Sequence, residues 1–188
     1  AGTRIRVLAS ESTKTDPEYL SSLTEITVRG VLKAQGTSSA PVVFVQPGTG
    51  AVKEWAGILV DGGRAELTHV VVEGAESGVT VITGAAELID TVLRRNRYGL
   101  SVVTALAHVR LRGGSLTEND YGLALLNGAV VERSGCRVRD NEQKDVLVGS
   151  RDLARLARPK VKEVVPGKKS VYTNESLLGT VVWKDHVV

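Results

Sequence analysis

The chain has 188 residues, of which 42% are hydrophobic and 24% are charged, and its formal net charge is +3 at pH 7. These proportions are ordinary for a folded domain and exclude a wholly disordered chain, while no apolar run is long enough to span a bilayer as a helix. The single cysteine, Cys136, excludes an internal disulfide framework and a multi-cysteine zinc site.

Residues 1–25 are expected to form an N-terminal cap. They contain one strand-like segment, Arg4–Leu8, and a polar stretch that leads to Asp16 and Pro17, where the aspartate could cap one helical turn with proline at its first position. A cap is expected because a stack of strands exposes unpaired edges and apolar core at each end.

A short motif recurs from residue 57 onward, in which a glycine, or an aspartate in the last copy, opens an apolar-x-apolar segment. The copies begin at Gly57, Gly78, Gly99, Gly122 and Asp145, at intervals of 21, 21, 23 and 23 residues. Two further short apolar pieces follow most starts, as at Ala65–Leu67 and then Val70–Val72. Period-two alternation over so few residues predicts strands with one buried face, so each unit contains three short strands separated by turns.

Such a unit cannot bury a core by itself, but stacking places each strand beside its counterpart, at a rise of about 4.8 Å per turn. The sequence therefore predicts an all-β parallel solenoid over residues 26–149, with about six to seven coils. Helical repeats are disfavoured because no segment shows the apolar period of an amphipathic helix. Since aromatic residues make up only 4% of the chain, the core must consist of small and branched aliphatic side chains.

Three asparagines recur at equivalent positions of the repeat. Asn96 and Asn119 stand two residues before a tyrosine, in Asn-Arg-Tyr-Gly and Asn-Asp-Tyr-Gly, and Asn141 is the third member after a one-residue insertion. Stacked asparagines can hydrogen-bond along the axis, and asparagine tolerates the left-handed backbone of a sharp turn. We expect a structural ladder here in preference to a catalytic group.

With this ladder, and with the upstream segments Ile26–Thr37, Pro41–Phe44 and Trp55–Ile58, the chain resembles the right-handed parallel β-helix superfamily of pectate-lyase-like proteins. Within this superfamily, the chain resembles the non-catalytic bacterial proteins that are secreted or displayed on the cell surface. The resemblance covers roughly residues 24 to 150 and implies a single-stranded right-handed coil and an extracellular or cell-surface location. No signal peptide is visible, and a start at Ala1 suggests a processed chain or a fragment.

Arginines are the sharpest candidate for a binding function. Residues 57–93 carry a formal charge of −5 and residues 94–139 a charge of +5, which predicts a solenoid with two electrostatically different ends. The candidate ligand-binding residues are Arg94, Arg95, Arg97, Arg110, Arg112, Tyr98 and Tyr121. Arginine binds planar anions bidentately, so a ladder of arginines could follow DNA or an acidic glycan. The two tyrosines share a column and could offer a stacking platform to a sugar or base.

The competing interpretation is that these arginines neutralise acids on neighbouring coils. One column two residues before the repeat glycine reads Glu76, Arg97, Asp120, and another reads Glu66, Glu87, Arg110. Exposed pairs of this kind are common on solvated surfaces and contribute little to stability. Packing of Tyr98 and Tyr121 over the turn is likewise the structural alternative to a platform.

A catalytic member of the superfamily would cleave acidic polysaccharides with converging carboxylates. The aspartates of this chain fall in different columns, and the turns are short. A column of His69, Asp90, Gly113 and Cys136 sets a histidine beside a carboxylate, for which a structural hydrogen bond is favoured over acid–base chemistry. We expect no catalytic residue, metal or cofactor, and a divergent polysaccharide lyase or hydrolase remains an alternative.

Beyond Gly149 the repeat fades, and residues 150–188 are expected to form a C-terminal cap or an interface segment. Ser150–Arg158 could be a short amphipathic helix or an irregular last coil that Pro159 ends. The sequence thus favours a rigid structural, adhesive or ligand-display module without membrane insertion. Expected partners are an acidic polysaccharide or nucleic acid along the arginines, and other domains or subunits at the solenoid ends.

Overall fold

The computed structural model describes residues 2–8, 23–47, 55–149 and 171–172. Over these residues the fold is all-β, every strand pair is parallel, and no helix is present. The strands are β1 (Arg4–Arg6), β2 (Thr24–Val28), β3 (Val31–Gln35), β4 (Val42–Val45), β5 (Trp55–Thr68), β6 (Val70–Glu73), β7 (Ser77–Ile89), β8 (Val92–Arg94), β9 (Tyr98–Val102), β10 (Ala107–Arg112), β11 (Ser115–Thr117), β12 (Tyr121–Leu125), β13 (Val131–Ser134), β14 (Arg137–Val138), β15 (Lys144–Val148) and β16 (Val171–Tyr172).

The strands form three columns, in each of which consecutive strands follow the order of the chain. Column 1 contains β2, the first halves of β5 and β7, then β9, β12, β15 and β16. Column 2 contains β3, the second halves of β5 and β7, then β10 and β13. Column 3 is the separate six-stranded sheet β1-β4-β6-β8-β11-β14.

The register of column 1 confirms the repeat read from the sequence. Ile58 pairs with Val79, which pairs with Leu100, and the row continues through Leu123 to Val146, one residue after each motif start. Upstream, β2 pairs with β5, so the segment from Thr24 belongs to the same stack. β1 pairs with β4 at the edge of column 3, which places the first strand of the expected N-terminal cap in this sheet.

The other parts of the two expected caps, residues 9–22 and 150–170 and the chain after Tyr172, lie outside the described residues. This applies to the helical turn expected at Asp16 and to the amphipathic segment expected at Ser150–Arg158.

The core lies between the columns and is built from aliphatic side chains. β4 and β6 bury every second residue against it, and β10 alternates fully between buried and exposed positions. Trp55 is completely buried at the first clear repeat, and its indole N–H donates to the Glu73 carbonyl at 3.3 Å. A strand with one buried face needs this alternation, because successive side chains point to opposite sides of a sheet.

Residues with a left-handed backbone conformation stack at the turn between columns 2 and 3. The φ angles are 48° at His69, 46° at Asp90, 65° at Gly113 and 69° at Gly135. The sequence predicts Cys136 in this row, but Gly135 occupies it. The Gly113 N–H donates to the carbonyl of Ser134, which directly precedes Gly135. Equivalent turns thus use whichever residue tolerates αL, since for most side chains this conformation is costly.

A second left-handed row, of Gly74, Arg95, Glu118 and Asp140, precedes the three asparagines and turns the chain from column 3 back to column 1. The repeat glycines follow this row, at positions where the backbones of neighbouring strands come close together. A Cβ added at Gly99 would lie 2.5 Å from the Gly122 carbonyl oxygen and 3.0 Å from the Asn119 amide nitrogen. Glycine is needed at this position because the next strand already fills the space that a side chain would occupy.

Candidate functional sites

Asn96, Asn119 and Asn141 are buried and form a continuous amide ladder. The Oδ1 of Asn119 accepts from the backbone N–H of Asn96 at 3.1 Å and from its Nδ2 at 3.2 Å. Asn141 accepts in the same way from Asn119, at 3.1 and 3.0 Å. Each Nδ2 also donates to a carbonyl on the column 3 strand of the preceding repeat, for instance Asn119 to Leu93 at 2.9 Å. The predicted ladder is therefore present, with its polar atoms committed to neighbouring coils.

The two ends of this ladder differ. At the upstream end, the Ala75 N–H donates to Asn96 Oδ1 at 2.9 Å. At the downstream end, the buried carboxylate of Asp145 accepts from the backbone N–H of Asn141 at 3.2 Å and from its Nδ2 at 2.9 Å. The carboxylate of Asp145 thus accepts the two hydrogen bonds that the amide oxygen of the next asparagine accepts elsewhere in the ladder. Its sequence signal is a carboxylate in the repeat-glycine position, four residues after Asn141, and the motif alone predicts only the start of a strand there.

The five candidate arginines all form ion pairs with acids. The pairs and their N–O distances are Arg94–Glu73 at 2.5 Å, Arg95–Glu118 at 3.1 Å, Arg97–Glu76 at 2.8 Å, Arg110–Glu132 at 2.7 Å and Arg112–Glu87 at 3.3 Å. Every acid lies one repeat away from its arginine. Three of the pairs join the acidic block of residues 57–93 to the basic block of residues 94–139. The opposite charges of the two blocks therefore meet where the blocks adjoin.

These arginines do not share one surface row. Arg94 lies on β8 in column 3, whereas Arg110 and Arg112 lie on β10 in column 2. On column 2, the register row Lys33, Glu66, Glu87, Arg110 and Glu132 forms a second ladder, which we call the charge ladder. A polyanion lying along one column would meet only part of the candidate set, with acids interleaved between the cations.

The pKa values in the charge ladder follow from these contacts. A hydrogen bond from Arg110 lowers the pKa of Glu132, and the same bond raises the pKa of the Arg110 guanidinium. A hydrogen bond from Lys33 lowers the pKa of Glu66, which also pairs with Arg64 at 2.7 Å. Outside the charge ladder, the carboxylate of Glu76 raises the pKa of Arg97. Each shift favours the charged form, as expected for opposite charges in contact.

Tyr98 and Tyr121 are neighbours in column 1, and their rings stack with centroids 5.1 Å apart and an interplanar angle of 15°. The Arg97 guanidinium carbon lies 5.5 Å from the Tyr98 ring centroid. Because the rings stack along the column, each covers a face of the other. This geometry favours packing over the turn, since a sugar or base would need a free ring face.

His69 and Asp90 occupy equivalent turn positions of neighbouring repeats, and the His69 N–H donates to the Ile89 carbonyl, next to Asp90. The carboxylate of Asp90 occupies the space that a Cβ of Gly113 would fill, on the side of the next repeat away from His69. Cys136 is buried, and this burial raises the pKa of its thiol to about 11. Among the residues the structure describes, no group of three or more His, Cys, Asp and Glu side chains converges as metal ligands would.

Comparison of the chain with protein-family models, with curated proteins and with solved structures finds no match. In the described part of the chain, no helix is long and apolar enough to cross a membrane.

One feature of the site region was not read from the sequence. In β9, β12 and β15 the residues that alternate with the core-facing row are also buried, whereas in β10 of column 2 the alternate residues are exposed. The available signal was composition, because these positions hold Ser101, Ala124 and Leu147 where column 2 holds arginines and glutamates.

Proposed function

We propose that the chain is a single-stranded right-handed parallel β-helix of about six to seven coils, and that it acts as a rigid, non-catalytic module that displays or spaces adhesive or ligand-binding elements. The three columns support the coil, because successive strands of each column come from successive repeats. Crossover connections between parallel strands are right-handed in about 98% of cases, which supports the handedness. A secreted or cell-surface location rests on the resemblance to β-helix proteins.

The observation that carries this proposal is the way in which adjacent repeats satisfy each other. Buried amides bond along the ladder, and the candidate arginines pair with acids one repeat away. The charge of each of these arginines is balanced by a glutamate of the same chain, and the ion pair joins two neighbouring repeats. A module built from such nearest-neighbour contacts is stiff along its axis.

Rigidity is tested by native-state hydrogen exchange. We expect the amides of β7, β9 and β12 to exchange only through global unfolding, with one common free energy of opening. Local opening of these strands at much lower free energy would contradict a rigid module.

The absence of ligand chemistry is tested by a panel of acidic polysaccharides, single-stranded DNA and duplex DNA at low and moderate salt, with the same samples assayed for glycan cleavage. We expect neither salt-sensitive binding nor cleavage. Binding that falls steeply with salt and is weakened by Arg94→Ala or Arg110→Ala would replace the proposal with a polyanion receptor. Release of unsaturated or reducing-end products would replace it with a lyase or hydrolase.

A variant sharpens this panel. Glu132→Gln removes the negative charge that pairs with Arg110 and leaves the size of the side chain nearly unchanged. If pairing is what occupies Arg110, this variant gains salt-sensitive affinity for polyanions relative to the unmodified chain. The matched control is Glu142→Gln, an exposed glutamate outside the five arginine pairs, and it should gain no affinity through Arg110.

A further inference from the structure

The outer face of column 3 carries a row of side chains with an arginine at each end. We call it the valine row, and its neighbours in register are, in order, Arg4, Val43, Val71, Val92, Ser115 and Arg137. The two end arginines are exposed, and the three valines are half-buried. Alternation places this row on the outside, because the next residue along each strand, from Ile5 to Val138, packs against the core.

Further cations lie beside both ends of the valine row. Arg6 and Arg139 are exposed, two residues after Arg4 and Arg137, and alternation puts them on the same outer face. Arg139 pairs with Asp140 at 3.4 Å. Among the residues that the structure describes, the other three of these arginines form no ion pair. The face therefore presents one cluster of arginines at its first strand and another at its last.

Acids are scarce on this face. In the second outer row, which runs from Arg6 to Thr117, Glu73 is the one acid among the described residues, and it pairs with Arg94. In the charge ladder of column 2, by contrast, three glutamates stand against two cations. The outer face of column 3 is therefore cationic at both ends and apolar between them.

We propose that this face docks on an anionic lipid bilayer, with the two arginine clusters on lipid headgroups and the valine row against the interface between them. The negative surface potential of such a bilayer attracts arginines within about one Debye length. Docking of this kind places the chain on the surface without insertion across it. The inference goes beyond the proposed module function and does not depend on it.

The spacing of the cations favours a bilayer over a linear polyanion. The six strands of column 3 put the end arginines five strand spacings apart, which is about 24 Å at about 4.8 Å each. A DNA strand or an acidic glycan along the row would leave its middle anions facing valines. A bilayer can meet both parts of the face, since interfacial binding combines apolar contact with attraction to anionic lipids.

Vesicle co-sedimentation of the full chain tests this docking. The probes are vesicles of phosphatidylcholine alone and of phosphatidylcholine with about one-third phosphatidylserine, at low and at high salt. We expect binding to the anionic vesicles that is at least about tenfold stronger than binding to the neutral ones. High salt should remove this difference, because it screens the attraction.

Two triple variants that lose the same charge locate the surface. The face variant replaces the three unpaired arginines: Arg4→Gln, Arg6→Gln and Arg137→Gln. The control variant replaces three cations of column 2: Lys33→Gln, Arg110→Gln and Arg112→Gln. The face variant should weaken binding to anionic vesicles at least about tenfold, and the control at most about threefold. In both, the buried thiol of Cys136 should stay unreactive toward a maleimide, which monitors the fold.

Three outcomes would overturn the proposal. Equal binding to neutral and anionic vesicles, or binding to neither, would show that the arginine clusters do not recognise anionic lipid. An equal loss in the control variant would mean that net charge is responsible and this face is not. Salt-sensitive binding of duplex DNA or an acidic glycan that the face variant loses, without vesicle binding, would assign the face to a polyanion.

Discussion

The asparagine ladder and the charge ladder both join each repeat to the next, but one is buried and the other is exposed. In the buried ladder, Asn119 has defined partners on both neighbouring repeats. In the exposed ladder, Glu66 is shared by Lys33 and Arg64, and water can replace either partner. The contrast indicates that specificity along the axis comes from amides that have no alternative partner, because an unsatisfied buried polar group is costly.

The largest effect is expected from Asn119→Ala. This change removes the acceptor of Asn96 and the donor to the Leu93 carbonyl, and leaves buried groups unsatisfied. We expect a loss of about 3–5 kcal/mol in the free energy of unfolding, measured by denaturant titration. The control is Asn127→Gly, which removes an exposed amide that donates to the Val103 carbonyl at 2.9 Å but tolerates the φ of 47° at this position, and it should cost about 1 kcal/mol. Equal losses in the two variants would remove the distinction between buried and exposed contacts.

Asp145→Ala is expected to cost less, about 2–3 kcal/mol, because it removes one charged acceptor at the end of the ladder. Asp145→Asn keeps an Oδ1 that can accept from Asn141, so its cost should be about 1 kcal/mol. Thermal or denaturant unfolding of the pair measures this difference. If alanine and asparagine cost the same, the carboxylate does not terminate the ladder through its oxygen.

Gly99→Ala tests the backbone approach beside the ladder. The added methyl group would meet the Gly122 carbonyl, and we expect a loss of about 1–3 kcal/mol from overpacking. Gly30→Ala is the control, because a Cβ there has no atom within 4 Å, and its effect should stay within about 0.5 kcal/mol. A neutral Gly99→Ala would show that the strand spacing relaxes easily.

The smallest effect is expected in the charge ladder, at Arg110 and Glu132. Since pairing lowers the pKa of Glu132 in the folded chain, its contribution is fully present above the unfolded pKa of glutamate, about 4.3, and is lost as pH falls from there through the lower pKa of the folded state. A double-mutant cycle with Arg110→Ala and Glu132→Gln, run at pH 7 and pH 3, should show a small coupling only at pH 7 that high salt removes. A coupling that persists at pH 3 would require another cause.

The strand positions and the ladder could be predicted because fixed residue types recur at nearly fixed spacing. The register of Cys136 could not, because the path from Leu125 to Val131 is one residue shorter than the equivalent path from Val102 to Val109. Arginine partners were predictable as a class but not singly: Arg112 faces Ile89 in register, yet its guanidinium reaches Glu87 diagonally. The burial of Ser101, Ala124 and Leu147 was missed because strict alternation places these residues on the outer side of their strands, where exposure is expected.

Termination at Asp145 determines how a chain of this design can change its length. A duplicate of residues 99–121 placed before Gly122 would bring its own asparagine, accept from the unit before it, donate to the unit after it, and lengthen the stack by about 4.8 Å. The same duplicate placed after Asp145 would find Asn141 already bound to the carboxylate. Growth by gene duplication is thus open within the asparagine ladder and closed at the end that Asp145 terminates.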